Sequence, residues 1–189
     1  MKKISLLLLL LLHCFVCTNC QNKRHAANEK LLSCNFENDV VDLGIGVAVW
    51  NYDCDKNVII FNDTLLTKKI YDFNVCNSEY NGVCPLFYKP DYGIYHFVVT
   101  KLSKKWYEII YNGDKKGYIL TNSVFQFVDW PTFLKDYSTG IREKGQKTIY
   151  IVETVNGDMV SVVEEGSNIK KNVHWKNKNQ LLIDIFLLE

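Results

Sequence analysis

The sequence carries almost no excess of charge of either sign: 22 Lys+Arg residues stand against 21 Asp+Glu residues, a formal +1. The first twenty residues hold two of those lysines and no acid, so the rest of the chain carries −1. A chain so nearly balanced has no bulk field with which to gather nucleic acid or an anionic membrane. It also lacks any later apolar run near the ~20 residues that a spanning helix needs. Beyond its first twenty residues it has no Cys-x-x-Cys pair, the short spacing from which structural zinc sites are usually built. No internal repeat or low-complexity tract follows the N-terminal segment. What is present is apolar enough to fold: a 48% hydrophobic content, with many Val, Ile and Tyr, excludes a disordered chain.

The N-terminus reads as an export signal. Lys2 and Lys3 make a positive start, and Leu6 to Leu12 continue through Phe15-Val16 as an apolar core. About eleven apolar positions suit a secretory signal and are too few to span a bilayer. Cys20 stands where a bacterial lipoprotein carries its lipidated cysteine, before the polar Gln21-Asn22-Lys23-Arg24. Cys17 and Asn19 depart from the usual flanking residues of that signal, and ordinary cleavage after Cys20 is the alternative. Residues 1–20 are thus expected to be a signal peptide and 21–38 a polar tether. The expected location is the bacterial periplasm, the outer membrane through a lipid on Cys20, or the medium.

Four cysteines remain beyond the signal: Cys34, Cys54, Cys76 and Cys84. An even number outside the cytosol points to disulfides, with three pairings open. Cys76 and Cys84 flank a loop-like stretch and suggest a local bridge, with Cys34–Cys54 as its complement. A catalytic cysteine paired with His96 or His174 is weaker. None of the four precedes a strong helix, where an activated thiol would be placed. Asn51, Asp53, Asp55 and Asn57 alternate like calcium ligands but lack the glycine and the terminal acid of such a loop. No metal and no cofactor is expected.

From residue 39 onward, short runs rich in β-branched and aromatic residues recur between Gly, Asn and Asp, the pattern of a β protein. Expected strands are Val41–Trp50, Asn57–Phe61, Tyr95–Lys101, Trp106–Tyr111, Gly117–Leu120, Thr148–Val155, Met159–Glu164 and Leu181–Leu188. Asn112-Gly113 and Asn156-Gly157 lie between pairs of these, where Asn-Gly supplies the positive φ angles of a tight hairpin. The apolar Leu181–Leu188 run predicts a strand that is buried on both faces or lies centrally in its sheet. The Lys170-Lys171 and Lys176-Lys178 cluster reads as a solvated turn region. One helix is predicted from Asp129, a good N-cap, through Pro131 to Gly140. Trp130, Phe133, Leu134 and Tyr137 share its packing face.

The stretch from about Cys84 to Val124 carries a resemblance. Pro85-Leu86-Phe87-Tyr88 leads to a loop with Pro90-Asp91-Tyr92-Gly93, then His96-Phe97-Val98-Val99, Trp106-Tyr107-Glu108-Ile109, Asn112-Gly113 and Gly117-Tyr118-Ile119. This series resembles the bacterial SH3-like domain, in which a Trp-Tyr-x-Val strand, an Asn-Gly-like turn and a Gly-Trp-Val strand follow one another. Ile109 and Tyr118 replace the Val and the second Trp, and the family's Asn-Val-Arg opening is absent. The resemblance implies a small barrel over 84–124 within a β-rich region of 39–124. Residues 125–189 would add one helix and about three antiparallel strands packed on it.

Barrels of this kind leave aromatic rings at the mouth between long loops, a groove for extended peptides. Tyr88, Tyr92, Tyr95, Trp106 and Tyr118 are the candidate ligand-binding residues. The expected activity is non-enzymatic: a module of the cell envelope that holds a peptide, a cell-wall glycan or a protein partner. An inhibitor or immunity-type protein that caps an enzyme with its loops is the alternative, and a small cysteine-dependent hydrolase a third.

Overall fold

The computed structural model describes residues 34, 42–77, 82–121 and 123–188. The expected signal peptide, Cys20 and nearly all of the expected tether lie outside the described residues. Among the described residues the chain is mainly β and its strand pairings are antiparallel. The larger sheet contains β1 (Gly46–Trp50), β2 (Val58–Phe61), β3 (Lys69–Phe73) and β4 (Phe87–Lys89). It continues with β5 (Ile94–Leu102), β6 (Trp106–Tyr111), β7 (Lys115–Leu120) and β8 (Phe125–Asp129). Its spatial order is β3-β2-β7-β6-β5-β1-β8, with β4 on β5 outside that path.

A second sheet is built from β9 (Gly140–Glu143), β10 (Tyr150–Asn156), β11 (Met159–Glu164), β12 (Lys170–His174) and β15 (Ile183–Phe186). Its order is β12-β11-β10-β9-β15, and β13 (Lys176–Asn177) pairs with β14 (Gln180–Leu181) as a separate ribbon. Among the described residues no sheet closes into a barrel. The expected closed barrel is therefore replaced by an open sheet, because the strands of the SH3-like stretch pair outward with β1 and β2 instead of with each other's ends.

Period-two alternation explains how one sheet serves two cores. Val47 and Val49 of β1 face one side with Val98 and Ile110, and there the second sheet contributes Ile141, Val160, Val162 and Val173, joined by Trp175 just after β12. Ala48 and Trp50 face the other side with Tyr95, Phe97, Val99, Ile109 and Ile119. Full burial of side chains of this size contributes roughly 1.5–3 kcal/mol each, so both faces of β1 and β5 are heavily committed. Gly117 lets β7 approach β2, since a Cβ there would lie 2.5 Å from Ile60 Cγ2.

The turns follow their sequences with one refinement. Asn112 and Gly113 take φ of 50° and 88°, and because Tyr111 pairs with Lys115 the turn spans Asn112 to Asp114. In the other hairpin Asn156 pairs with Met159, so Gly157 and Asp158 are the central residues and only Gly157 needs positive φ, at 59°. That is the arrangement of a type II′ turn, which places glycine first. At the predicted helix Asp129 is the N-cap, its Oδ1 accepting from Thr132 N at 2.8 Å. The helix is short: Trp130–Thr132 passes into the π-helical turn Phe133–Tyr137, closed by Ser138 N donating to Phe133 O at 3.2 Å. Trp130, Phe133 and Leu134 are core residues, whereas Tyr137 is exposed and Gly140 opens β9 instead of ending the helix.

Four further expectations are corrected. The first strand starts at Gly46, because Asp42 Oδ1 accepts from Gly44 N at 2.8 Å and turns the preceding residues. Lys170 and Lys171 belong to β12, an edge strand whose inward residue is Val173. The last strand, β15, is also an edge strand in which Ile183 is the buried residue; Asp184 pairs with Arg142 at 2.7 Å, and that guanidinium lies over Phe186. Eight strands stand in 125–188 where about three were expected.

Cys54 and Cys76 form a disulfide with Cα atoms 5.5 Å apart. Both expected bridges, Cys76–Cys84 and Cys34–Cys54, are thereby excluded. The reason is strand pairing: β2 and β3 run antiparallel with Val58 opposite Phe73, which brings together the residues before β2 and after β3. Cys34 and Cys84 are disulfide-bonded as well. Disulfides persist in oxidising compartments, so this chemistry suits a protein outside the cytosol. No helix among the described residues is long and apolar enough to cross a membrane. Peptide mapping without reduction is expected to recover Cys54 and Cys76 on one linked fragment; recovery of a Cys76–Cys84 fragment would contradict the hairpin assignment.

Candidate functional site

The five candidate aromatics do not share one groove. Tyr95 is fully buried; its hydroxyl donates to Val83 O at 2.9 Å and its ring packs edge-on against Tyr88, Phe73 and Phe97. Its place on the inward phase of β5 removes it from any surface, which corrects its assignment as a ligand contact. Tyr88 is half-buried against the same cluster. Tyr92 is 69% exposed on the turn between β4 and β5. Beside it, Gly93 meets the ring of Tyr52, an exposed residue held at a φ of 53°. Tyr52 packs edge-on to Trp50, whose buried indole N–H has no hydrogen-bond partner among the described residues.

Trp106 and Tyr118 do come together. Trp106 begins β6 and Tyr118 lies on β7, and their partly exposed rings meet edge-to-face with centroids 5.1 Å apart. Both side chains stand on the same face as Glu108, which is opposite Tyr118 in the register and two residues along from Trp106. Alternation along the strand is enough to put Trp106 and Glu108 on one face, but it gives Glu108 no role.

Glu108 organises this face. It is 3% exposed, and a carboxylate so placed must be paired. Oε1 accepts from Thr100 Oγ1 at 2.6 Å, while Oε2 accepts from Tyr118 Oη at 3.1 Å and Lys101 Nζ at 3.2 Å. Lys116 Nζ lies 3.6 Å from Oε1. Thr100 reaches the carboxylate because a bulge in β5 between Val99 and Lys101 turns two successive side chains towards β6. Burial alone would raise the Glu108 carboxyl, but the donors from Thr100, Lys101 and Tyr118 outweigh it and hold the group below its ordinary value. Burial, and then the bond to Glu108, pushes the Tyr118 phenol up. The carboxylate is therefore ionised and the phenol protonated at neutral pH.

The side chains of Lys101 and Lys116 are 65% and 50% exposed, so their charged ends are offered to solvent beside the rings. From Lys101 to Thr121 the sequence holds five lysines and two acids, a local excess in a chain of net +1.

The remaining candidates are accounted for locally. Asp53 accepts from Asp55 N at 3.1 Å and pairs with Lys56 at 2.9 Å, and Asn57 donates to Asp72 at 2.8 Å, as a polar turn would have it. Among the described residues no three His, Cys, Asp or Glu side chains gather as a metal ion would require. With Cys34, Cys54, Cys76 and Cys84 all in disulfides, none presents a thiolate. His174 is exposed on β12, and His96 is buried against Phe87 and Phe133. No family model, curated protein or solved structure matches the chain.

Proposed function

We propose that the protein is a non-enzymatic binding module of the cell envelope, related in kind to SH3-like domains, that recognises its ligand on the Trp106–Tyr118 face. The observation that carries this reading is the pair of rings at right angles, partly in solvent and fixed from below by the Glu108 network. Aromatic rings held rigidly at a surface offer large contact area at little entropic cost. The disulfide at Cys54–Cys76 supports a location outside the cytosol, tethered through Cys20 or free.

A second reading has its own support. Tyr52 and Tyr92 protrude from adjoining loops at another part of the surface, as a loop-based inhibitor or immunity-type protein would present them to an enzyme. Cosedimentation with purified peptidoglycan, joined to capture from envelope extract, separates the two. Trp106→Ala is expected to weaken capture about tenfold, in line with the ~1.4 kcal/mol of a lost interface aromatic. Tyr92→Ala is expected to leave it unchanged. Capture that survives Trp106→Ala and is lost with Tyr92→Ala would transfer the site to the loops.

A further inference from the structure

We propose that the Trp106–Tyr118 face binds a carboxylated saccharide, with one sugar ring against the indole and its carboxylate at Lys101 and Lys116. This rests on the binding-module reading above and names the ligand chemistry for that site.

Charge gives the first reason. Glu108 supplies one negative charge beneath two ammonium groups, at 3.2 and 3.6 Å, so the cluster is left one positive charge in excess. Glu108 is too deeply placed to meet a ligand. Its effect is to hold both lysine ends over the sheet face next to the rings, where a single external carboxylate would complete the balance. Lys104 and Lys105, exposed in the turn that leads into Trp106, add two further positive charges close to it in the chain.

The backbone gives the second. Peptides that add to a sheet need an unpaired strand edge. Here β6, which carries Trp106, lies between β5 and β7, and β7 meets Phe61 of β2 at Tyr118 itself, so neither ring stands at an unpaired strand position. What the face does offer is a flat π surface, a perpendicular ring that limits sliding, and ammonium donors to one side. A pyranose has an apolar C–H face that packs flat on an indole, and a uronic acid carries its carboxylate at the ring's margin. The near-neutral charge of the whole chain leaves little long-range attraction, so recognition depends on these short-range contacts.

Affinity gel electrophoresis of the full chain through polygalacturonate, and through the same polymer fully methyl-esterified, tests the inference without relying on a variant. Retardation is expected in the acid form, with affinity at least tenfold lower in the ester. Lys101→Gln/Lys116→Gln is expected to reproduce the effect of esterification; it leaves Glu108 bonded to Thr100 and Tyr118, and circular dichroism checks that the fold is kept. Trp106→Ala is expected to weaken binding to the acid polymer by a similar factor. Equal binding to acid and ester, still dependent on Trp106, would overturn the carboxylate assignment and leave the aromatic module standing. So would binding to neither polymer together with Trp106-dependent cosedimentation with peptidoglycan. Binding indifferent to Trp106 and abolished by salt would show bare charge attraction and overturn the inference. Absence of Trp106-dependent binding in every arm would remove the module reading as well.

Discussion

Replacing Trp175 by alanine is expected to lower the free energy of unfolding by about 4 kcal/mol, the middle of the range for a buried tryptophan. The side chain is 1% exposed in the core shared by the two sheets. Its indole N–H donates to Gly157 O at 2.9 Å and its backbone N–H to Asp158 O at 3.1 Å, so it fastens the β10–β11 turn twice. Its carbonyl accepts from Leu182 N at 2.9 Å, which draws in the chain leading to β15. Its ring lies 5.7 Å from Trp130, whose own N–H donates to Leu43 O at 2.7 Å. Trp175 therefore joins the second sheet to the helix and to the entry of β1. Trp175→Phe keeps most of the volume and loses one donor, and is expected to cost about 1 kcal/mol more than a neutral change. Urea unfolding of both variants measures this. A loss below about 1 kcal/mol for Trp175→Ala would mean that the cavity collapses and the two-sheet core is looser than described.

Acid is expected to destabilise the fold well above the carboxylate range, through His96. Burial pushes its imidazole down to about 4 from an ordinary 6.5, a backbone bond involving Tyr95 opposing this only in part. The neutral ring accepts from Trp50 N at Nδ1, at 3.2 Å, and packs between Phe87 and Phe133. Between 6.5 and 4 the unfolded chain takes up a proton that the folded protein refuses, so stability is full above 6.5 and falls as the pH falls. The whole step is worth about 3 kcal/mol, of which about 2 are lost between pH 7 and pH 5. Asp53, Asp63, Asp72, Glu108 and Asp129 all titrate below their ordinary values and act only at lower pH. Urea midpoints at pH 7 and pH 5 should therefore differ in the wild type and converge in His96→Asn, which keeps an acceptor but cannot titrate there. An equal slope in both proteins would place the proton uptake elsewhere.

Much of the larger sheet was legible because its central strands are strongly patterned. Trp106–Tyr111 reads as a strand, Asn112-Gly113 as its turn and Gly117–Leu120 as the returning strand; all three features are found. Edge strands were harder to read. Lys69–Phe73 and Lys170–His174 bury little, so their composition resembles solvated loop and turn. Leu181–Leu188 misled in the opposite sense, since its apolar residues suggested a central position that the sheet order assigns to β10. Disulfides were legible in the even cysteine count, but the suggested pairing was not the one found, because closeness in sequence competed with strand pairing, and pairing decides which cysteines meet. In the candidate site, Trp106 and Tyr118 were candidates through the SH3-like resemblance, and the β6–β7 register brings them together. The role of Glu108 depended on a bulge in β5, and a one-residue irregularity leaves no periodic trace in the sequence.

The placement of β1 bears on how the chain can be made. Gly46–Trp50 is buried along its whole length, yet its neighbours are Phe97–Val99 and Phe125–Asp129. A polypeptide emerging from its amino end exposes this sticky Gly-Val-Ala-Val-Trp ribbon for on the order of several seconds at ordinary synthesis speeds before the second neighbour is available. During that interval it is a target for chaperones and for self-association. Docking must wait until most of the molecule has left the ribosome or channel, a delay that keeps the chain threadable.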